Sequence, residues 1–219
     1  MEQDIAESLS KKLKIDITQI VREFWETIIL KGLFDSLEGG TLIFKGGTAL
    51  RLVYGSPRFS EDLDFSLTED KLKDKFRQLI KKIVSPYPEL SITDLEEKHY
   101  TYLGEIKVVE GYLPSPFRIK IEISKRRERG YKSKLSLISS PVSTIQCLGM
   151  VSTLEQLYKD KLTCLSDRAK PKDAFDLWYI CQKLKKTYVP ATISIPKREL
   201  VRDLRKYLPK DFWSVIDNL

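Results

Sequence analysis

The first quarter of the chain alternates between a helical pattern and a short buried strand. Apolar residues recur at helical spacing from 16 to 37, which predicts a long helix. Residues 41–44 (TLIF) predict a short strand that is buried on both faces. A Gly-Gly pair then turns the chain, and Thr48 is placed to cap a helix that runs to Gly55.

The middle of the chain contains two segments with clean alternation of apolar and polar residues. Residues 60–67 (SEDLDFSL) and 117–124 (FRIKIEIS) both have a period of two and are predicted as strands. Between them, a charged helix is expected at about 69–83. The stretch 86–115 is rich in turn residues and predicts shorter strands, such as GEIKVVEG.

The pattern becomes helical from about Ser152 to the end, with one interruption at 188–196 (YVPATISIP). Strands mixed with helices, followed by helices alone, are typical of an α+β chain with two parts. The predicted division is an α/β domain at 1–145 and a helical domain at 146–219. The expected class is therefore α+β, with a mixed sheet followed by a C-terminal helical lobe.

Composition indicates a globular protein with an anionic partner. The chain has 219 residues, of which 42% are hydrophobic and 32% charged. Its formal net charge is +7 and its pI about 9.1, which favours a polyanion such as RNA, DNA or a triphosphate. A generally lysine-rich surface is the alternative explanation.

Several classes of chemistry are excluded by what the chain lacks. Cys147, Cys164 and Cys181 are widely spaced, so we expect reduced core thiols and a cytoplasmic protein. No segment has the pattern of a signal peptide or a membrane span. His99 is the only histidine and is expected at the surface, which argues against histidine-ligated zinc and a Ser-His-Asp triad. Any catalysis must therefore use carboxylates, lysines and a bound metal.

Two aspartates interrupt a strand whose other residues are apolar. Period two places Asp62 and Asp64 on one face of the strand 60–67, where their charges repel unless a cation lies between them. An exposed polar face would also explain the pair. The Gly46-Gly47 turn, however, joins a strand to a helix, where free backbone N–H groups and the helix dipole suit a phosphate.

A third carboxylate is available on the other alternating strand. Glu122 faces away from the isoleucines of FRIKIEIS, as Asp62 and Asp64 face away from the leucines and phenylalanine of their strand. Such oxygen ligands suit Mg²⁺ or Mn²⁺, and two of these ions support nucleotidyl transfer from an NTP. A P-loop is absent from the sequence.

The first predicted C-terminal helix carries two cations close to its apolar stripe. Lys161 falls within the stripe and Arg168 beside it, and both could simply extend their charged ends to solvent. Ser152 with Glu155 has the pattern of a capping box for this helix. Asp173 lies in the first turn of the next helix, where it could cap, pair with Lys161 or contact a nucleotide.

Two segments resemble a known family. KGGTALRL followed by RFSEDLDFSL, and LEQLYKDKLTCLSDRAKPKDAFDLWYI, are similar to the AbiEii/AbiGii toxin-like nucleotidyltransferases of the DNA polymerase β-like superfamily. The matches frame residues 44–180. The resemblance implies a bilobal enzyme that uses an NTP and Mg²⁺, is often paired with an antitoxin, and in some branches modifies the 3′ end of tRNA.

The resemblance implies roles for Gly46, Gly47, Ser60, Asp62, Asp64, Lys161 and Asp173, and the sequence patterns described above add the other candidates. Asp62, Asp64, Lys161 and Asp173 would be catalytic, and Glu122 is the candidate third metal ligand. The expected nucleotide-binding residues are Lys45, Gly46, Gly47, Thr48, Ser60 and Arg168. Two alternatives remain: nucleotidylation of a protein or small-molecule hydroxyl, and a non-catalytic module that binds RNA or a protein.

Overall fold

The computed structural model describes residues 1–126, 128–189 and 195–219. The α-helices are α1 (Gln3–Leu13), α2 (Ile17–Phe34), α3 (Gly46–Tyr54), α4 (Phe76–Val84), α5 (Leu154–Asp167), α6 (Pro171–Leu184) and α7 (Lys197–Leu204). The strands are β1 (Leu42–Lys45), β2 (Asp62–Leu67), β3 (Leu90–Glu97), β4 (Thr101–Val108), β5 (Phe117–Ser124), β6 (Ser133–Ser140) and β7 (Ser143–Ser152). Short 3₁₀ helices occupy Gly39–Thr41 and Lys210–Asn218.

The strands form one mixed sheet of seven, in the order β3-β4-β5-β2-β1-β7-β6. The pairs β2–β5 and β1–β7 are parallel, and the other neighbours are antiparallel. The predicted α+β class with a mixed sheet is therefore confirmed. The centre of the sheet is formed by β5, β2 and β1, which are the strands that carry the candidate site residues.

One face of the central strands is apolar and supports the main core. The alternating residues Phe44 of β1, Phe65 of β2 and Ile121 of β5 are fully buried there. The rings of Phe44 and Phe65 lie 5.3 Å apart between centroids. Helices α2 and α4 cover this face, contributing residues such as Trp25 and Ile80. Since side chains alternate along a strand, the polar residues of β1, β2 and β5 project from the opposite face.

The strongly patterned elements match their predictions closely. The long helix, the buried strand and the two alternating strands correspond to α2, β1, β2 and β5. The helix expected at 69–83 begins later, at Phe76. The region 86–115 is more regular than expected, because β3 and β4 are eight residues each and pair along their whole length.

Four features of the structure differ from the sequence-based expectations. Helix α1 and the hairpin of β6 and β7 are not predicted by the sequence pattern. Thr48 does not cap α3, since its hydroxyl donates to the carbonyl of Asp62 at 2.5 Å. The cap of α5 is Thr153 rather than Ser152, and its hydroxyl accepts from the N–H of Gln156.

The C-terminal helices pack together and return to the sheet. Phe175, Leu204 and Ile216 belong to a second apolar cluster that joins α6 to the C-terminal residues. The predicted boundary at 145/146 falls inside β7, and the two-domain division remains a prediction. The interruption expected at 188–196 includes 190–194, which lie outside the described residues. Across the residues that the structure describes, no helix is both long and apolar enough to cross a membrane.

The segment after α7 closes the chain back onto the region before β2. The carbonyl of Tyr207 accepts from the N–H of Phe59 at 2.8 Å, and the Tyr207 hydroxyl donates to Glu61 at 2.6 Å. Lys14 at the end of α1 forms an ion pair with Asp211 at 2.8 Å. The residues leading into β2 are thus fixed from the C-terminal side of the molecule.

Candidate active site

The turn between β1 and α3 requires glycine at both positions. Gly46 has φ of +79°, which side chains of L-residues rarely allow, and a Cβ there would collide with the carboxylate of Asp64. A Cβ on Gly47 would collide with the guanidinium of Arg58 and lie 2.9 Å from the Ser60 hydroxyl. The two glycines therefore let β2 and the segment before it approach the backbone of the turn.

The predicted carboxylates lie on the polar face of β2 and β5. Asp64 and Glu122 are directly opposite in the parallel pairing, and Asp62 is opposite Lys120. Lys120 forms an ion pair with Glu122 at 2.6 Å. Lys172, from the start of α6, lies 3.5 Å from Asp62. The three carboxylates share one face, and two of them are held by lysines.

Asp64 is the carboxylate whose ionisation is most perturbed in this cluster. Burial raises the pKa of Asp64 to about 6, and the negative charge of Asp62 adds to the shift. Lys161 and Lys45 act in the opposite direction but do not cancel the effect. The site therefore favours additional positive charge beside Asp64.

A cleft of about 190 Å³ lies between the polar face of the sheet and α5. From the sheet side it is lined by Lys45, Gly46, Asp64, Glu122 and Ser124, and from α5 by Leu157, Asp160, Lys161, Cys164 and Arg168. The structure thus brings together most of the predicted charged residues, which come from four separate segments of the chain. Gly47, Thr48, Ser60, Asp62 and Asp173 lie next to the cleft rather than in its lining.

A larger cavity of about 790 Å³ lies elsewhere, between α2 and α4. Its lining includes Ile28, Leu79, Ile83 and Tyr87, together with lysines at its rim. None of the predicted site residues lies there. Because chemistry requires reactive side chains as well as space, the smaller cleft is the candidate active site.

Lys161 is buried, and its ammonium is paired with two carboxylates. Its Nζ lies 2.7 Å from Asp173 Oδ1 and 2.7 Å from Asp176 Oδ2. The alternative that Lys161 extends to solvent is therefore wrong, whereas the pairing with Asp173 is confirmed. Burial opposes the charge on Lys161, but Asp176 and Asp173 outweigh it and raise the pKa of the ammonium.

Arg58 completes this buried network from the segment before β2. Its Nε and Nη2 donate to the two oxygens of Asp176, each at 2.7 Å. Burial opposes ionisation of Asp176, but Arg58 and Lys161 together lower the pKa of its carboxyl. Asp173 Oδ2 is buried without a hydrogen bond among the described residues, and Arg168 Nε lies 3.6 Å from it. Within that part of the chain, one acceptor of the network thus remains available beside the cleft.

Asp176 is the important residue that sequence reasoning does not identify. It lies three residues after Asp173 in KDAFD, so both aspartates project from the same face of α6. That spacing is the signal that could have revealed it. Its partner Arg58 is not identified either, because nothing in the sequence indicates that Arg58 contacts a helix 118 residues away.

The oxygen donors on the polar face of the sheet are of the kind that bind a hard divalent cation. Asp62, Asp64 and Glu122 supply carboxylate oxygens from adjacent strands, and the missing Cβ of Gly46 leaves room for the Asp64 carboxylate above the turn. Across residues 1–126, 128–189 and 195–219, no group of three or more His, Cys, Asp and Glu side chains is already arranged around a common metal position. Lys120 and Lys172 occupy part of that space.

A glycine turn that opens a helix beside strand carboxylates suits the binding of a nucleotide and a hard cation, and the family match makes this chain a nucleotidyltransferase. It belongs to the family of AbiEii toxins: residues 28–212 match the sequence profile described as "Nucleotidyl transferase AbiEii toxin, Type IV TA system". A search of curated proteins found no significant match.

Solved structures share the fold at low sequence identity. JHP933 from Helicobacter pylori is 22% identical with a TM-score of 0.59, and the alignment covers 86% of this chain and 79% of that one. MenT4, the nucleotidyltransferase toxin Rv2826c from Mycobacterium tuberculosis H37Rv, is 19% identical with a TM-score of 0.55. Its alignment covers 86% of this chain and 64% of that one. At this identity the comparisons establish the fold alone.

Proposed function

We propose that this toxin transfers a nucleoside monophosphate from an NTP to the 3′ end of an RNA, with tRNA as the expected acceptor, in a reaction that depends on Mg²⁺ or Mn²⁺. The observation that carries the proposal is the cleft itself. It joins Asp64 and Glu122 from the sheet to Lys161 and Arg168 from α5 beside the glycine turn. Carboxylates for metal and cations for phosphate are thereby within one small space.

The carboxylates would hold the metal. Asp62 and Asp64, with Glu122 as a third ligand, would bind Mg²⁺ after Lys172 and Lys120 move aside. When bound, the ion neutralises phosphate charge and favours attack by the acceptor hydroxyl. The raised pKa of Asp64 supports this role, because a cation at this position would relieve the repulsion from Asp62.

The glycine turn and nearby cations would hold the triphosphate. Gly46 and Gly47 open α3, where backbone N–H groups are available to phosphate oxygens. Ser60 lies against this turn, and Lys45 and Arg168 line the cleft. Thr48 would contribute its backbone rather than its hydroxyl, since the hydroxyl is already bonded to Asp62.

Lys161 would supply positive potential where charge develops during transfer. Asp173 and Asp176 fix its ammonium at the wall of the cleft, so that no reorganisation is needed when the phosphate arrives. Asp173 would act mainly by positioning Lys161, with its second oxygen available to a ligand donor.

The charge of the molecule and the family support the remaining parts of the proposal. The net charge of +7 favours an RNA acceptor. A toxin family implies a cognate antitoxin as a partner. The free thiols Cys147, Cys164 and Cys181 are compatible with the reducing cytoplasm.

The decisive experiment combines each α-labelled NTP with Mg²⁺, total RNA and the purified protein. We expect label on RNA from one NTP or a narrow set of them, and none with Asp64→Asn or in the presence of a chelator. Label on a protein instead of RNA would replace the acceptor assignment. Absence of label on either, from protein that binds RNA, would establish a non-catalytic module.

A further inference from the structure

An exposed pair of aromatic side chains lies in the turn that joins β3 to β4. The rings of His99 and Tyr100 meet edge to face, with centroids 4.3 Å apart at 84°. Tyr100 is 54% exposed, and neither side chain makes a hydrogen bond among the residues that the structure describes. Neither ring contributes to the apolar core, so packing does not account for their position.

This turn is held firmly by the end of β5. The N–H of Lys125 donates to the carbonyl of Tyr100 at 2.8 Å, and the Lys125 ammonium donates to the carbonyl of Lys98 at 2.8 Å. The same ammonium lies 3.8 Å from the ring centroid of the buried Tyr102. The aromatic pair is therefore presented on a fixed turn, which lowers the entropic cost of binding a ligand.

An exposed cation lies next to the two rings. The guanidinium carbon of Arg126 is 5.0 Å from the ring centroid of Tyr100, and Arg126 is exposed. Lys98 is another nearby cation, but it is paired with Glu96 at 2.6 Å. We call His99, Tyr100 and Arg126 the aromatic surface. It combines stacking faces with a positive charge that suits a phosphate.

The aromatic surface lies at one end of the candidate active site. Thr101, the residue after Tyr100, pairs with Ser124 in the sheet, and Ser124 lines the cleft. From Ser124 the chain continues through a basic segment, residues 125–130 (KRRERG), which we call the basic loop. It leads to Tyr131, whose hydroxyl donates to Asp160 on the other wall of the cleft at 2.7 Å. Ser124 and Tyr131, on either side of the loop, thus both contact or line the cleft, and the aromatic surface adjoins the Ser124 side.

From this arrangement we infer that the aromatic surface binds an unpaired nucleotide of the RNA acceptor, just upstream of the 3′ end that enters the cleft. Tyr100 stacks on the base, His99 supports the tyrosine ring, and Arg126 contacts the neighbouring phosphate. The inference rests on the proposed RNA acceptor. The aromatic surface should accept any base, since every base offers a π-face. It should require an unpaired strand, because paired bases are not free to stack on a side chain.

The test compares Tyr100→Ala, Tyr100→Phe and the control Phe212→Ala, which removes an exposed aromatic from the C-terminal 3₁₀ helix. Affinities are measured for a labelled single-stranded RNA of about twelve nucleotides, a blunt RNA duplex and the NTP. We expect Tyr100→Ala to weaken single-strand binding about 5- to 100-fold and to raise KM for RNA accordingly. Tyr100→Phe, which keeps the ring, should stay within about threefold of the parent.

The outcomes separate this inference from the proposed function. Loss of single-strand binding with unchanged duplex and NTP affinity supports binding of RNA by the aromatic surface. An unfolded variant would instead lose affinity for the single strand, the duplex and the NTP. Unchanged single-strand affinity in Tyr100→Ala, with RNA still labelled, would overturn the surface and leave the proposed function intact. If the parent labels a protein and binds no RNA at low salt, both are wrong.

Discussion

Asp64 links stability to catalysis at the scale of a single residue. Its folded pKa of about 6 lies above the ordinary value of 3.8, so the folded state binds a proton more tightly than the unfolded state. The resulting destabilisation is absent at pH 3.5, develops as pH rises through 4 to 6, and is complete at pH 8. Asp64→Asn removes it.

We therefore expect metal-free Asp64→Asn to be more stable than the parent by about 3 kcal/mol at pH 8 and equally stable at pH 3.5, with transfer abolished. Urea denaturation at both pH values, with activity from the same preparation, measures this. Asp94→Asn, a strand aspartate outside the cleft, is the control. Global unfolding of Asp64→Asn, with activity following the folded fraction, would assign the aspartate a structural role.

The structure changes the stability that we expect of the variant Lys161→Met. A lysine in an apolar stripe would be costly if unpaired, so Lys161→Met would be expected to fold at least as well as the parent. The structure contradicts that premise, because the ammonium pairs with Asp173 and Asp176. Removal leaves Asp173 with only Arg168 at 3.6 Å, although Asp176 keeps Arg58.

We expect Lys161→Met to lose about 2–4 kcal/mol of stability and at least about 100-fold in transfer. The double variant Lys161→Met with Asp173→Asn removes one buried charge and should recover part of the stability, but not the activity. Thermal unfolding and initial rates distinguish the two effects. Recovery of both stability and turnover in the double variant would remove Lys161 from the catalytic residues.

At the scale of the elements, the glycine turn can be tested by comparing alanine substitutions at two glycines of the same chain. Gly46→Ala introduces a Cβ at φ of +79° and against Asp64, whereas Gly40→Ala places its Cβ in open space. We expect Gly46→Ala to cost about 1–3 kcal/mol and most of the NTP affinity, since the turn must shift. Gly40→Ala should change neither the stability nor the NTP affinity. Thermal unfolding measures the stability, and calorimetric titration with a non-hydrolysable NTP measures the affinity. Normal NTP affinity in Gly46→Ala would mean that the turn does not bind the phosphates.

The predictability of each element depends on how fully it is buried. β5 alternates with fully buried isoleucines, so its period is unambiguous. Helix α1 buries only Ala6, and its charged sequence gives no stripe to detect. The hairpin of β6 and β7 leaves Leu135 and Leu148 exposed, so apolar residues appear on both faces and obscure the period of two. Helix caps are the least predictable feature, because neighbouring hydroxyls compete for the same position.

At the scale of the whole molecule, the net charge leads to a prediction about RNA binding. Arg126 and Arg129 lie in the basic loop between Ser124, which lines the cleft, and Tyr131, while Arg127 in the same loop lies outside the described residues. We expect replacement of all three arginines by Gln to make RNA affinity less sensitive to salt. The slope of log affinity against log salt concentration should fall in magnitude by roughly one for each phosphate that is no longer neutralised. Binding isotherms between 50 and 300 mM salt, about the range where such slopes are measured, test this.

A matched control separates local binding from overall charge. Replacing Lys11, Lys12 and Lys197 by Gln removes the same number of charges from helices that do not line the cleft. These variants should keep nearly the parent slope. Equal flattening in both sets would mean that RNA responds only to net charge, and that the loop has no particular part in binding.

The bond between Arg58 and Asp176 also bears on the order in which the chain can complete this network during synthesis. The partners are 118 residues apart in sequence, and the segment that carries Arg58 leads directly into the strand with Asp62 and Asp64. Synthesis proceeds from the amino terminus, so all seven strands, which end at Ser152, are made before α6, which begins at Pro171. Until α6 is made, Arg58 has no buried partner and Lys161 has no aspartates to hold it. A chain that ends before residue 176 lacks the carboxylate shared by Arg58 and Lys161, and on the proposed mechanism we expect it to be inactive in transfer.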